Sequence, residues 1–287
     1  MDLMPLTLLV IAAITHAAWN AVAKSVAGNA VVFVWAYLSI ATVLLLPVTA
    51  VFLLEQGWPT EPKFLYIPLV SGALHVAYLV TLQRAYAKGD LGIVYPTARG
   101  VGPLLTMIVA LTLLGERPKV TALAGALVLL AGILTVATAA PHEGKWLSRG
   151  TLWGVATGAT ISLYTLWDNQ AVTNWDLDIV PFFTLATTTQ AAILTPFALR
   201  HLREQKARLT LRRHAWRVLV VAVLWPVGYV LVLLAQQTTP ISIVAPVREM
   251  SVVFGALIGW VIYRERRPIQ RTIGAVGVLA GIALLVQ

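Results

Sequence analysis

The sequence contains no cysteine. That removes disulfides, thiolate metal sites and Cys nucleophiles together. Charge is nearly as scarce: Asp, Glu, Lys and Arg make up 11% of 287 residues, where a soluble domain carries about a quarter. So few charges cannot cover a water-facing surface, which excludes disorder, a coiled coil and a soluble α/β enzyme. His-x-x-x-His pairs, Walker loops, Gly-x-Ser-x-Gly elbows and clustered carboxylates are missing as well. The chain is therefore not expected to be an enzyme, nor to hold a cofactor or a metal. The start, Met1-Asp2-Leu3, lacks the basic n-region of a signal peptide, so the first apolar run is expected to remain as a helix.

What the chain does have is apolar length. Hydrophobic residues make up 59% and mean hydropathy is +0.81. A spanning helix needs roughly 20 mostly apolar residues. Runs meeting or approaching that length lie at 3–23, 30–53, 64–86, 91–114, 120–139, 151–173, 179–199, 215–236, 241–263 and 270–286. Runs of about 10 alternating residues, the mark of a membrane barrel, are missing. The expectation is an all-α integral membrane protein of ten transmembrane helices, with the lipid bilayer as its main partner.

The halves repeat at an offset near 149 residues. LLGERP (113–118) is matched by IYRERRP (262–268), and GALVLLAGIL (125–134) by GAVGVLAGIA (274–283). Upstream, Ile93-Val94-Tyr95-Pro96 matches Ile243-Val244-Ala245-Pro246, Arg99 falls near Arg248, and Trp19-Asn20 aligns with Trp167-Asp168. Shared apolar composition produces scattered Leu and Val matches, not registered Pro, Arg and Gly. Two five-span repeats, 1–140 and 151–287, are expected. Because five is odd, the second enters the membrane from the opposite face, which makes an inverted repeat suited to alternating access.

The net charge of +9 does not point to nucleic acid, because the cations sit at the ends of apolar runs. Of 21 Lys and Arg, sixteen fall after odd-numbered spans and three on the opposite side, while Arg99 and Arg248 lie inside spans. The rich side is expected to be cytoplasmic, with both termini outside and the chain in the inner membrane.

Polar residues inside spans carry the functional argument. Arg99, Asp168, Arg248 and Glu249 would each cost roughly 2.5–3.5 kcal/mol at a helix centre, so they must pair or face a cavity. The structural reading is an ion pair such as Arg99 with Asp168. The functional reading is that the two arginines meet a substrate carboxylate or phosphate. Arg248 and Glu249, being adjacent, are expected to diverge around the helix, leaving one of them to face the cavity. His16 and Asn20 share a face with Lys24, beside Trp19, and Tyr164, Trp167 and Asp168 form the counterpart in the sixth span. Packing glue between helices is the alternative for His16 and Asn20, and Lys24 reads as a topology charge. With Tyr95, the pairs His75 and Tyr78, and Trp225 and Tyr229, supply aromatic walls for an organic solute or an ammonium. Trp58, Trp146 and Trp175, at span ends, read as interfacial belt residues. Pro96 and Pro246 occupy equivalent positions and suggest one kink per half, either a gating bend or static shape. Gly277 and Gly281 suit close helix packing, within the chain or across a homodimer.

With these residues in view, the chain resembles the drug/metabolite transporter superfamily, and within it the EamA-type ten-helix members. The duplicated Glu-Arg motifs, the Gly-rich spans after them and HAAWNAVAK (16–24) carry the resemblance. It implies helices 1, 3, 4, 6, 8 and 9 around a central cavity, with 5 and 10 packed at the ends. Many members are described with cytoplasmic termini, opposite to the charge count. The expected function is secondary active transport of a small polar or zwitterionic metabolite, amino acids leading, with export as the direction. The alternatives are an exchanger of organic anions or phosphorylated metabolites, and a non-transporting membrane enzyme or lipid-handling subunit.

Overall fold

A segment in hydrocarbon cannot hydrogen-bond its backbone to water, so it must bond N–H to C=O within itself, as a helix. The computed structural model follows that constraint; it describes residues 1–26, 29–89, 91–138, 149–254 and 268–286, and no strand occurs among them. Eleven helices are bounded. They are α1 (Leu3–Lys24), α2 (Ala30–Gln56), α3 (Lys63–Lys88), α4 (Leu91–Thr112), α5 (Val120–Ala137), α6 (Arg149–Thr173), α7 (Ile179–Leu202), α8 (Gln205–Arg213), α9 (Ala215–Gln236), α10 (Ile241–Arg248) and α11 (Pro268–Val286). Seven, namely α1 to α5, α7 and α9, are long and apolar enough to cross a membrane. This is a multi-pass membrane protein. The 25-residue α6 is more polar because Thr157, Ser162, Thr165, Asp168 and Asn169 are buried along it.

Two departures from the sequence reading stand out. The 200–217 connection contains a helix, α8, whose Gln-Lys-Ala-Arg-Leu-Thr-Leu-Arg-Arg run has helix propensity without apolar length. The ninth span does not run unbroken from 241 to 263. It stops at Arg248 and is helical again over 251–254. Pro246, which has no N–H to give the Ser242 carbonyl, loosens the turn before this point. The chain tightens into i→i+3 bonds, Glu249 to Pro246 at 3.1 Å, Met250 to Val247 at 3.0 Å and Val252 to Glu249 at 2.9 Å. Pro96, by contrast, sits inside the continuous α4. The 255–263 part of that span, residues 262–267 of the second Glu-Arg motif and Trp146 lie outside the described residues.

The first Glu-Arg motif has a structural role. Gly115 takes φ 71°, the left-handed region that glycine enters freely. The Glu116 N–H reaches back to the Ala110 carbonyl at 3.0 Å. That turn aims the Glu116 carboxylate at α10, where it accepts from Ile241 N–H at 2.8 Å and Ser242 N–H at 3.0 Å. A carboxylate capping a helix N-terminus satisfies orphan donors and opposes the positive end of the dipole.

The main packing pairs are α1 with α9, α3 with α6, α2 with α7, α4 with α6, and α5 with α11. The last pair touches backbone to backbone. A Cβ on Gly125 would lie 2.8 Å from the Gly281 carbonyl oxygen, and one on Gly132 2.7 Å from that of Gly274. Gly277 and Gly281 thus pack within the chain, against α5. One end of the bundle is filled by Leu9, Ala13, Met107, Ala110, Leu129, Ile241, Val244 and Leu285, all buried.

Candidate functional site

A cavity of about 290 Å³ opens between the helices above that apolar plug. Its wall runs from Ala12 and Val232, deep in the bundle, to Val26, Asn29 and Ala30 in the α1–α2 connection. That connection follows Lys24, so the cavity extends toward the Lys/Arg-rich end. Ten residues singled out in the sequence line it: His16, Trp19, Asn20, His75, Tyr78, Arg99, Tyr164, Trp225, Tyr229 and Arg248. Each comes from an ordinary helical face, with α1 supplying positions i, i+3 and i+4 and α3 positions i and i+3. Besides the six helices implied by the resemblance, α2 and α7 contribute, through Phe33, Tyr37 and Gln190.

The two arginines are ion-paired, as the structural reading anticipated, but with another partner. Arg99 pairs with Glu249, Nη1 to Oε2 at 3.0 Å, and not with Asp168. Arg248 Nε lies 3.7 Å from Glu249 Oε1. Arg248 and Glu249 therefore do not diverge. The tightened turn after Pro246 keeps them on one side, and the Glu249 carboxylate, fully buried, sits between two guanidinium groups. Arg99 Nη2 also lies 3.3 Å from His16 Nε2. A guanidinium can only donate, so His16 accepts there and is neutral. Both guanidinium groups lie over aromatic rings, Arg99 on Tyr95 at 5.5 Å and Arg248 on Tyr164 at 5.8 Å, which is favourable cation–π geometry.

Asp168 lies behind the wall, 1% exposed. Its Oδ1 accepts from Ser71 Oγ at 2.6 Å and its Oδ2 from the Tyr229 hydroxyl. His75 Nε2 stands 3.8 Å from Oδ2. The imidazole is sandwiched, 4.1 Å from the Tyr164 ring and 5.5 Å from that of Tyr229.

Tyr95, Trp167, Asp168 and Glu249 do not line the cavity. Tyr95 packs on the apolar plug beneath Arg99. Trp167 turns away from the cavity: its Nε1 donates to the Ile67 carbonyl at 3.0 Å and its ring meets Trp175 at 4.8 Å. Asn20 Nδ2 donates to the His16 carbonyl at 2.8 Å, within its own helix. Sequence reasoning passed over Tyr37, Phe33 and Gln190. Gln190 is 2% exposed, lines the cavity, and its Nε2 has no partner. A glutamine within an apolar span was the signal, since an uncharged amide there still needs partners.

A bundle of apolar helices around a solute-sized cavity, with arginines on its wall, is an architecture suited to membrane transport. Residues 148–287 match the EamA-like transporter family. The second half of the chain is thus similar to that family, in keeping with the drug/metabolite transporter resemblance. A solved crystal structure of another protein is similar in fold: 18% sequence identity, TM-score 0.68, 97% of this chain and 98% of the other covered. No curated protein matches the chain.

Proposed function

We propose that the chain is a secondary transporter of a small zwitterionic metabolite, amino acids the leading class. It would work by alternating access as ten spans in two inverted repeats, 1–140 and 151–287, in the inner membrane. The observation that carries the substrate class is the charge balance around the cavity. Arg99 and Arg248 are opposed by Asp168 and Glu249, so the four charges cancel. A zwitterion adds no net charge and finds a guanidinium pole, an unpartnered amide at Gln190 and aromatic faces at Tyr37 and Trp225 for its ammonium. A phosphate ester would bring roughly −1.5 to −2 into a low-dielectric site whose two lining arginines are already opposed by Glu249 and Asp168. Glu249 already holds the place a substrate carboxylate would take, so substrate and Glu249 compete for the arginines.

Three observations support the inverted repeat. The Met1 ammonium donates to the Leu285 carbonyl at 2.6 Å, so the chain's ends meet on one face and the crossings are even in number. α5 and α11 run antiparallel, since Gly125 meets Gly281 and Gly132 meets Gly274. The contact between α1 and α9 has its counterpart in that between α6 and α3, and α2 with α9 in α7 with α3. The cavity reaches one end while an apolar plug fills the other, as alternating access requires of any single state.

Counterflow in proteoliposomes tests the reading, with labelled amino acids and phosphorylated metabolites compared side by side. Exchange of zwitterions with one carboxylate is expected. Exchange confined to phosphorylated compounds would assign the exchanger reading instead, and no exchange of any solute would leave the non-transporting one.

A further inference from the structure

We propose that His75 and Asp168 together form a proton-binding site opening on the cavity, and that the bound proton is the coupling ion of transport. The coupling role rests on the transporter reading above; the proton site does not.

His75 Nδ1 lies 2.9 Å from the Ser71 carbonyl oxygen. A carbonyl only accepts, so Nδ1 carries a proton and donates it. In the neutral ring the other nitrogen, Nε2, then has a bare lone pair. That lone pair is buried without a hydrogen-bond partner and lies 3.8 Å from Asp168 Oδ2. Two acceptors face each other across a gap with no donor between them. Both Asp168 oxygens already receive hydroxyl protons, from Ser71 and Tyr229, bonds that favour an ionised carboxylate and fix its position. One proton on Nε2 converts the repulsive pair into an ion pair and satisfies the orphaned nitrogen. Apart from the Asp168 carboxylate of the same pair, no described group nearby can take it: Ser71 and Tyr229 are committed as donors.

The surroundings set the terms of this titration. From α3 itself, Tyr78 faces the Tyr164 ring. From α6 come Asp168 and Tyr164, and from α9 Tyr229. From α10 Arg248 lies over Tyr164, and its charge opposes a second cation at His75. α7 presents the ring of Phe183 against Tyr229, and no titratable group. His16 and Arg99 are engaged with each other across the cavity. Because His75 and Tyr229 line the cavity while Asp168 does not, a proton enters from the cavity side. The pair also ties α3, of the first repeat, to α6 and α9 of the second. Its occupancy therefore bears on contacts between the halves, as a coupling ion must.

The test needs no substrate. The full chain, labelled with ¹⁵N-histidine in lipid nanodiscs, has five histidines, and His75→Asn identifies the His75 signal by its loss. Between about pH 8 and pH 5, Nε2 of His75 should gain a proton while Nδ1 keeps its own. In Asp168→Asn the midpoint should fall by a pH unit or more, a tenfold or greater loss of proton affinity. In Tyr229→Phe the carboxylate loses a donor and the midpoint should rise. A His75 that holds either form across the whole range overturns the proposal, as does an unchanged midpoint in Asp168→Asn. If Asp168→Asn does not fold, the upward shift in Tyr229→Phe decides alone. Failure to detect flux of any solute would sink the transport reading and leave this result standing.

Discussion

At the scale of single residues, the site turns on Glu249. A fully buried carboxylate between two guanidinium groups is compensated only while both remain. Removing one partner of a buried pair costs about 3–5 kcal/mol, because the other charge stays desolvated. Arg99→Ala should therefore lower the unfolding midpoint strongly, and Arg99→Ala with Glu249→Gln should recover much of the loss. Denaturation of the two variants in detergent, measured together, checks this; equal losses would show that Glu249 gains nothing from Arg99. For ligand binding, Arg99→Ala and Arg248→Ala should each cost roughly 1–3 kcal/mol, and lysine at either position should restore only part of it. Wild-type affinity in a folded alanine variant would reduce that arginine to a structural role. The sequence exposed Arg99, Arg248, Asp168 and Glu249 because a charge in a span is conspicuous. It did not show who pairs with whom. Pairing depends on the turn after Pro246 and on the rotation of helices distant in sequence, and adjacency alone suggested that Arg248 and Glu249 would separate.

At the scale of elements, the Glu116 cap and the glycine seam make opposite kinds of demand. Glu116 supplies acceptors to two N–H groups at the start of α10. Glu116→Ala should cost about 1–2 kcal/mol, with Glu116→Gln intermediate because it keeps an acceptor and loses the charge. Thermal unfolding of the purified variants measures it, and no difference between alanine and wild type would remove the cap from the account. The seam needs absence of bulk: a Cβ at position 281 would stand 2.6 Å from Leu129 Cβ. Gly281→Val should lower stability by about 1–3 kcal/mol or more through overpacking, whereas Val276→Leu, at an exposed position, should be near neutral. Equal midpoints for these two would mean the seam opens without cost. Helix boundaries were legible within a few residues almost throughout, since apolar length and polar breaks fix them. The helix α8 was missed because a search for spans passes over nine polar residues.

At the scale of the whole molecule, the charge count carries a prediction of orientation. The Lys/Arg-rich end carries α8 and the mouth of the cavity, and the other end carries Met1 and Leu285. Single cysteines at Asp2 and at Arg212, in a chain with no other thiol, report the sides. An impermeant thiol reagent on intact cells should modify Asp2→Cys and spare Arg212→Cys; the reverse pattern would place the termini in the cytoplasm. Registered Pro, Arg and Gly suggested a repeat, while the central cavity was legible only in part. Trp167 shares a helix with Tyr164 yet packs on Trp175, and Gln190 carries no charge to draw attention to it.

The apolar plug has a consequence for how the protein is made. Leu9 and Leu285 both belong to it, and α11 reaches its place only by fitting its glycines against α5. During synthesis the early helices enter the bilayer long before the residues that seal that end have left the ribosome. Until α11 docks, the plug lacks Leu285 and α5 lacks its close-packed partner. The seal at that end is thus completed only after α11 has docked, later than α1 to α9, whose helices supply most of the cavity wall.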